Sequence, residues 1–235
     1  MDPTAIDTVL VAGASGGTGR EILRLADSRV PTVRALSRDD RKRQSLLEAG
    51  ADEVVIDDLL DPRAGGLAAV VEGVDAVLSA VGSGFADIRS GGPFVDGQGV
   101  QALLDAAADA GVRAFVMESA IGVGEDPASP LASLFDTVIG PVQRAKGETE
   151  AALRASGLEH TVFRPGVLTG GPRTDTVTVA DPGAKLWGTV SRADVARLML
   201  AAPVTPAATD RTFEVVGKPT LRDRGEAVDW ELPGR

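Results

Sequence analysis

The chain has 235 residues, 43% of them hydrophobic and 25% charged, with a formal net charge of −10. That length allows one core of the larger α/β kind, and the acidic balance excludes the broad basic surface that neutralises nucleic-acid phosphates. No Cys is present, which excludes thiol catalysis, disulfides and thiolate metal sites; the single His argues against an imidazole metal site, and the absence of Tyr removes any phenol as proton donor.

Short β-branched runs alternate with Ala/Leu-rich stretches, the pattern of a parallel sheet covered on both faces. Strands are predicted at 8–12, 31–37, 52–57, 74–80, 113–119, 160–164 and 211–216, and helices starting near Gly17, Asp40, Ala64, Gly97, Val142 and Arg192. The fold class is α/β, a Rossmann-like doubly wound parallel sheet, in a single domain spanning 1–235.

The first strand runs from Val9 to Ala12 into Gly13-Ala14-Ser15-Gly16-Gly17-Thr18-Gly19-Arg20 and then a helical pattern at Glu21-Ile22-Leu23. Glycines at these places turn the chain off the strand, let the backbone approach a pyrophosphate, and pack the helix on the sheet. Gly13, Ser15, Gly16, Gly17, Thr18 and Gly19 are therefore candidate cofactor-binding residues, with free N–H groups facing the anion.

The second strand ends in Ser37-Arg38, followed by Arg41, Lys42 and Arg43. A cation here suits the additional 2′-phosphate of NADP(H), where a carboxylate would suit NAD. Arg38 is the candidate, through two parallel charge-assisted bonds, with Ser37 adding a hydroxyl. Arg41 and Lys42 read instead as a solvated helix face paired with Asp39, Asp40 and Glu48. Asp57-Asp58-Leu59 closes the third strand, where Asp58 is the better candidate to accept from an adenine amino group and the Leu59 amide to meet the ring. Ala80-Val81-Gly82 closes the fourth with small residues that leave room for ribose and pyrophosphate.

Segments 82–96, 122–140 and 166–190 break the rhythm and are rich in Gly, Pro, Ser and Asp. Each follows the carboxyl end of a predicted strand, so they are expected to wall a substrate pocket. Val100, Leu103, Leu104, Ala107 and Ala108 give one helix an apolar face, and Gly111 suits its left-handed cap. The charged tail after Gly217 reads as loosely attached.

Taken together, GASGGTGR, VRALSRDDRK, VDGQGVQALLDAAADAGVRAFVMESAIGV, KGETEAALRASGLEHTVFRPGVLTG, SRADVARLML and TFEVVG cover nearly the whole chain and resemble the atypical short-chain dehydrogenase/reductase family, in its NAD(P)H-binding, NmrA-like branch. The resemblance implies a Rossmann sheet with a small C-terminal substrate region. It implies catalytic roles for Ser119 and for Lys146, the latter also on the nicotinamide ribose, and places Pro165, Gly166 and Val167 beside the nicotinamide. The family's Tyr-x-x-x-Lys relay is broken, because Val142 stands four residues before Lys146. Glu118 is a candidate proton donor or a salt-bridge partner of an arginine. His160 reads as packing, Ser191 with Asp194 as a helix cap, and Phe85, Phe94, Phe135 and Trp187 as candidate apolar lining.

The leading expectation is an NADPH-dependent reductase passing hydride to a small quinone, flavin or activated carbonyl, an apolar or aromatic substrate that needs little acid assistance. A non-redox isomerase, dehydratase or cyclase and an NADP(H)-sensing regulator are the alternatives. No metal, nucleic acid or membrane partner is expected, and a homodimer is left open. No apolar run reaches the roughly 18 residues of a membrane span, and residues 1–4 lack the features of a signal peptide, so a cytoplasmic location is expected.

Overall fold

Strand β1 (Thr8–Ala12) is buried along almost its whole length, and its side chains alternate between two cores. Val9 and Val11 join one cluster with Ile22, Leu23, Met199 and Phe163, whereas Leu10 and Ala12 join another with Leu103, Leu104, Phe115 and Leu153. The period of two in the strand thus divides the apolar residues into two layers, each needing a cover of helices. The computed structural model describes residues 6–83, 92–124, 130–174, 177–184, 186–219 and 225–234, with backbone alone at 130–139 and 218–219.

In chain order, β1 leads to α1 (Gly17–Ala26), β2 (Thr32–Ser37), a 3₁₀ turn and α2 (Arg43–Leu47), β3 (Glu53–Ile56), α3 (Gly66–Val71) and β4 (Ala76–Ser79). A π turn at Val95–Gly99 opens α4 (Val100–Asp109), followed by β5 (Ala114–Glu118), α5 (Pro130–Ala155) and β6 (Glu159–Pro165). Then come β7 (Val167–Thr169), β8 (Val177–Ala180), β9 (Gly188–Ser191), α6 (Arg192–Ala201), β10 (Arg211–Val216), β11 (Lys218–Pro219) and β12 (Glu226–Val228).

The nine-stranded sheet has the order β12-β8-β10-β6-β5-β4-β1-β2-β3. From β3 to β10 every pairing is parallel, as in Val9↔Val33 and Phe213↔Phe163, and β8 and β12 add on antiparallel. Helices α1 and α6 supply one core, and α3, α4 and α5 the other. Strand order reverses between β1 and β4, which opens a crevice at their carboxyl ends, the place where open α/β sheets take ligands. A small sheet, β11-β9-β7, stands beyond the end of β6.

Several expectations need correction. The helix expected near Val142 begins at Pro130 and runs for 26 residues, so residues 130–140 are helical backbone and not pocket loop. Pro141 lies inside it, and a proline that lacks an N–H and excludes the ordinary helix bond reads in sequence as a boundary. Segment 166–190 contributes a strand to the main sheet and two to the small one. The tail is docked where described: β12 pairs with β8, and Trp230 packs against Phe163 and Phe213 with ring centroids 6.0 and 5.4 Å away. Arg197 donates to the carbonyls of Trp230 and Val228 at 3.0 and 3.2 Å. Gly111 does take the left-handed conformation, at φ 70°, after α4. No helix among the described residues is long and apolar enough to cross a membrane.

Candidate cofactor and active site

The chain leaves β1 at Gly13, whose φ of 76° favours glycine. A Cβ there would lie 2.7 Å from the Ala80 carbonyl carbon, so Gly13 also lets the loop touch the end of β4. Gly16 N donates to Gly13 O at 2.9 Å and closes the turn. Gly19 has a different task, since a Cβ would meet Ala14 Cα at 2.7 Å and push α1 off the loop. These steric demands match two of the roles expected of the glycines, turning the chain off the strand and packing the helix on the sheet.

Above this loop lies a groove of about 200 Å³. Gly13, Ser15 and Gly16 form one wall, and Ser37, Arg38 and Lys42 the wall at the end of β2. Asp58 and Leu59 close the end beside β3, and Ala80, Val81 and Gly82 the end beside β4. Gly17, Thr18 and Gly19 continue the loop into α1 and lie outside the groove lining.

The basic run after β2 divides by partner. Arg41 donates to Asp39 at 2.9 and 3.0 Å, and this bond holds the Asp39 carboxyl below its ordinary range. Arg43 binds Asp40 at 2.8 Å and the Val54 carbonyl at 2.7 Å. Lys42 is exposed, as expected of a solvated face, but its side chain reaches across the groove and donates to Ser15 Oγ at 3.2 Å rather than pairing with an acid. Arg38 is exposed, and no hydrogen bond or ion pair among the described residues engages its guanidinium. Ser37 Oγ donates to Asp39 O at 3.1 Å, so its proton is used within the turn.

Asp57 is buried and organises the turn after β3, its Oδ1 accepting from the Asp58 and Arg63 amides at 2.9 and 3.1 Å. Asp58 is the carboxylate nearer the open side, and its Oδ1 accepts from Leu60 N at 3.0 Å.

At the end of β5, neighbouring side chains part to opposite faces. Ser119 Oγ donates to Glu150 Oε1 at 2.6 Å, and Glu150 also accepts from Arg164 Nη2 at 2.8 Å and Arg154 Nη1 at 3.2 Å. Glu118 Oε1 accepts from Thr18 Oγ1 at 3.0 Å, beneath the glycine loop. Burial pushes the Glu118 carboxyl up, against Lys146, the Thr18 bond and Arg192, which favour its charged form; Asp96 adds to the rise. Lys146 Nζ lies 2.8 Å from Asp96 Oδ1 and donates to Glu118 O at 3.2 Å. The i,i+4 pairing of Lys146 with Glu150 that the spacing allows is replaced by these two partnerships. Thr18, Glu118, Asp96, Lys146, Ser119 and Glu150 are all buried.

Gly166 N donates to Val215 O at 2.9 Å, and a Cβ at Gly166 would come 3.1 Å from Val216 Cγ1, so Pro165-Gly166-Val167 turns sharply into the small sheet. Val167 and Trp187 expose apolar surface there, at 56% and 39%. Phe94 is half-buried, whereas Phe85 and the side chain of Phe135 lie outside the described residues. His160 sits at the amino end of β6, 3.1 Å from Asp210, away from the groove. Ser191 caps α6, its Oγ accepting from Asp194 N at 3.0 Å, in agreement with the capping reading.

Sequence reasoning missed the reach of Lys42 to Ser15, the Asp96 partner of Lys146, and the contact of Arg192 with Gly17. Only the first carried a local signal, its place in the basic run.

The NAD(P)H-binding family model matches residues 13–206. A relative from Bacillus subtilis strain 168, named as the uncharacterized sugar epimerase YhfK, is 31% identical over 208 residues, 88% of this chain and 92% of that one. Sanguinarine reductase of Eschscholzia californica is 28% identical over 254 residues, covering 90% of this chain and 89% of that one. Among solved structures, a Bacillus halodurans protein named as an NAD-dependent epimerase/dehydratase superimposes with a TM-score of 0.76 at 25% identity, over 90% of this chain and 94% of that one.

Proposed function

Because the chain belongs to the NAD(P)H-binding family, we propose that it is an NADPH-dependent reductase that passes hydride to a planar apolar acceptor, a quinone, flavin or activated carbonyl. The observation that carries the reading is the wall at the end of β2, where Arg38 offers a guanidinium with no protein partner among the described residues and Lys42 extends to the glycine loop. In a chain of net charge −10, two such cations over one groove make a local field for phosphates.

The groove residues fit a dinucleotide. Gly13, Ser15 and Gly16 would cradle the diphosphate, with the loop running on through Gly17 and Thr18 while Gly19 packs α1 against it. Arg38 would hold the 2′-phosphate, with Ser37 fixing the turn beneath it. Asp58 and Leu59 would meet the adenine, and Ala80, Val81 and Gly82 the ribose and diphosphate path. Lys146, Pro165, Gly166 and Val167 would border the nicotinamide end. The cofactor, when bound, supplies the hydride. The chain's own work is to align it and keep water out.

Proton delivery is the weak step, which selects the acceptor. No phenol exists, and the Ser119 proton is directed at Glu150. Acceptors whose reduced form needs little acid help are favoured, and the exposed Val167 and Trp187 give an apolar shelf for them. The name of the sanguinarine reductase relative supports a reductase. That of the Bacillus subtilis relative favours a second reading, epimerisation of a sugar derivative. Following NADPH absorbance with a panel of quinones, flavins, azo compounds and enones separates the two. Acceptor-dependent oxidation is expected, and turnover of a nucleotide sugar without net NADPH loss would overturn the reductase reading.

A further inference from the structure

Arg192 is the first residue of α6, yet its side chain lies across Gly17, the first residue of α1. A Cβ at Gly17 would stand 2.5 Å from Arg192 Cδ and 2.7 Å from Nε, so only glycine lets the side chain settle on the loop. A second cavity of about 300 Å³ opens at this point, between Gly17 and Glu21 on one side and Gly170, Gly171, Arg192 and Ala193 on the other.

Arg192 differs from most arginines of the fold in lacking an ion-pair partner among the described residues. Arg34, Arg41, Arg43, Arg154, Arg164, Arg197 and Arg211 each pair with a carboxylate. Among the described residues no hydrogen bond or ion pair engages Arg192. Glu21, in the same cavity wall, is held by Arg24 at 2.6 Å. Glu118 is near enough to feel the charge of Arg192 but makes no hydrogen bond or ion pair with it; its Oε1 is used by Thr18. A guanidinium resting on the backbone of the glycine loop at the mouth of this cavity, with its N–H groups unengaged among the described residues, is placed to receive an anion.

We propose that Arg192 is a second phosphate-binding cation of the cofactor site, gripping the diphosphate from the Gly17 side of the loop while Lys42 stands on the Ser15 side. The proposal rests on the dinucleotide reading of the groove. A guanidinium can give two parallel N–H bonds to phosphate oxygens, which a lone loop amide cannot. Because a diphosphate is common to NAD and NADP, Arg192 strengthens both, whereas Arg38 serves only the nucleotide with a 2′-phosphate.

Calorimetric titration of the wild type, Arg192→Gln and Arg192→Lys with NADP+, NAD+ and adenosine 2′-monophosphate tests this. For Arg192→Gln, NADP+ and NAD+ should weaken by the same factor, about 10- to 100-fold, as for a lost charge-assisted bond. Adenosine 2′-monophosphate, which lacks the diphosphate, should bind unchanged, and Arg192→Lys should recover part of the loss. Unchanged NADP+ affinity in Arg192→Gln, or an equal loss for adenosine 2′-monophosphate, would overturn the assignment of Arg192 alone. If wild-type protein binds none of the three, the cofactor reading itself falls. Arg192→Lys keeps the experiment decisive should Arg192→Gln not fold, because a lysine lacks the paired N–H groups and is expected to bind both dinucleotides more weakly than arginine.

Discussion

Ser119 Oγ and Glu150 Oε1 are 2.6 Å apart, and the serine donates its proton to the carboxylate. The same carboxylate is held by Arg164 through two bonds, of 3.1 and 2.8 Å. All three residues are buried, so the serine is part of a fixed ionic cluster that joins β5, α5 and β6.

The first expectation follows from that cluster. Glu150→Gln breaks the buried ion pair with Arg164 and should cost about 3–5 kcal/mol, the range for breaking a buried pair. Ser119→Ala removes one hydrogen bond and should cost about 1 kcal/mol. Thermal melting of both variants checks the ranking. A Ser119→Ala protein with wild-type melting and no turnover would place the hydroxyl on the substrate instead.

Arg38→Ala should weaken NADPH by about 1–3 kcal/mol, the worth of a charged hydrogen bond, and leave NADH unaffected. Lys42 touches the glycine loop and not β2 alone, so Lys42→Ala should weaken both cofactors. Fluorescence titration with each nucleotide reads the difference, and equal losses from Arg38→Ala would remove the argument for a 2′-phosphate.

Glu118 predicts a pH dependence. Its carboxyl is raised above an ordinary value of 4.5, chiefly by burial. The folded state therefore holds a proton that the unfolded chain releases, and stability falls as pH climbs from the ordinary value towards the raised one. Glu118→Gln keeps an acceptor for Thr18 and removes the titration. Its stability relative to wild type should increase as pH climbs above that ordinary value, as followed by urea unfolding. A difference that does not change with pH would contradict the raised carboxyl of Glu118.

Gly13→Ala should damage binding and stability together. Its backbone is in the left-handed region and the added methyl meets the Ala80 carbonyl. Strain at such a position costs about 1–3 kcal/mol. Circular dichroism melting with a nucleotide titration would show it, and a fully active, equally stable variant would contradict the packing of loop against β4.

The local parts of this architecture were legible in the sequence. The strand, glycine turn and helix at residues 8–26, the basic run after β2 and the cap at Ser191 are short-range patterns, and the structure has them where the spacing places them. Side-chain partnerships across the chain were not. Thr18 and Glu118 are 100 residues apart, Ser119 and Glu150 are 31 apart, and Lys146 finds Asp96 only because a π turn carries that carboxylate over α5. The antiparallel edge β8-β12 escaped for the same reason, since each strand has three or four residues and gains its hydrogen bonds from a distant partner. The Gly140-Pro141 step marks a boundary in sequence, yet the helix continues through it.

Parallel calorimetric titrations of the purified wild-type chain with NADPH and NADH test the central claim most directly. Saturable one-site binding is expected, with NADPH tighter by at least about tenfold, or 1.4 kcal/mol. Equal affinity would contradict the role of Arg38, and the absence of heat or saturation with either nucleotide would contradict the reductase account as a whole.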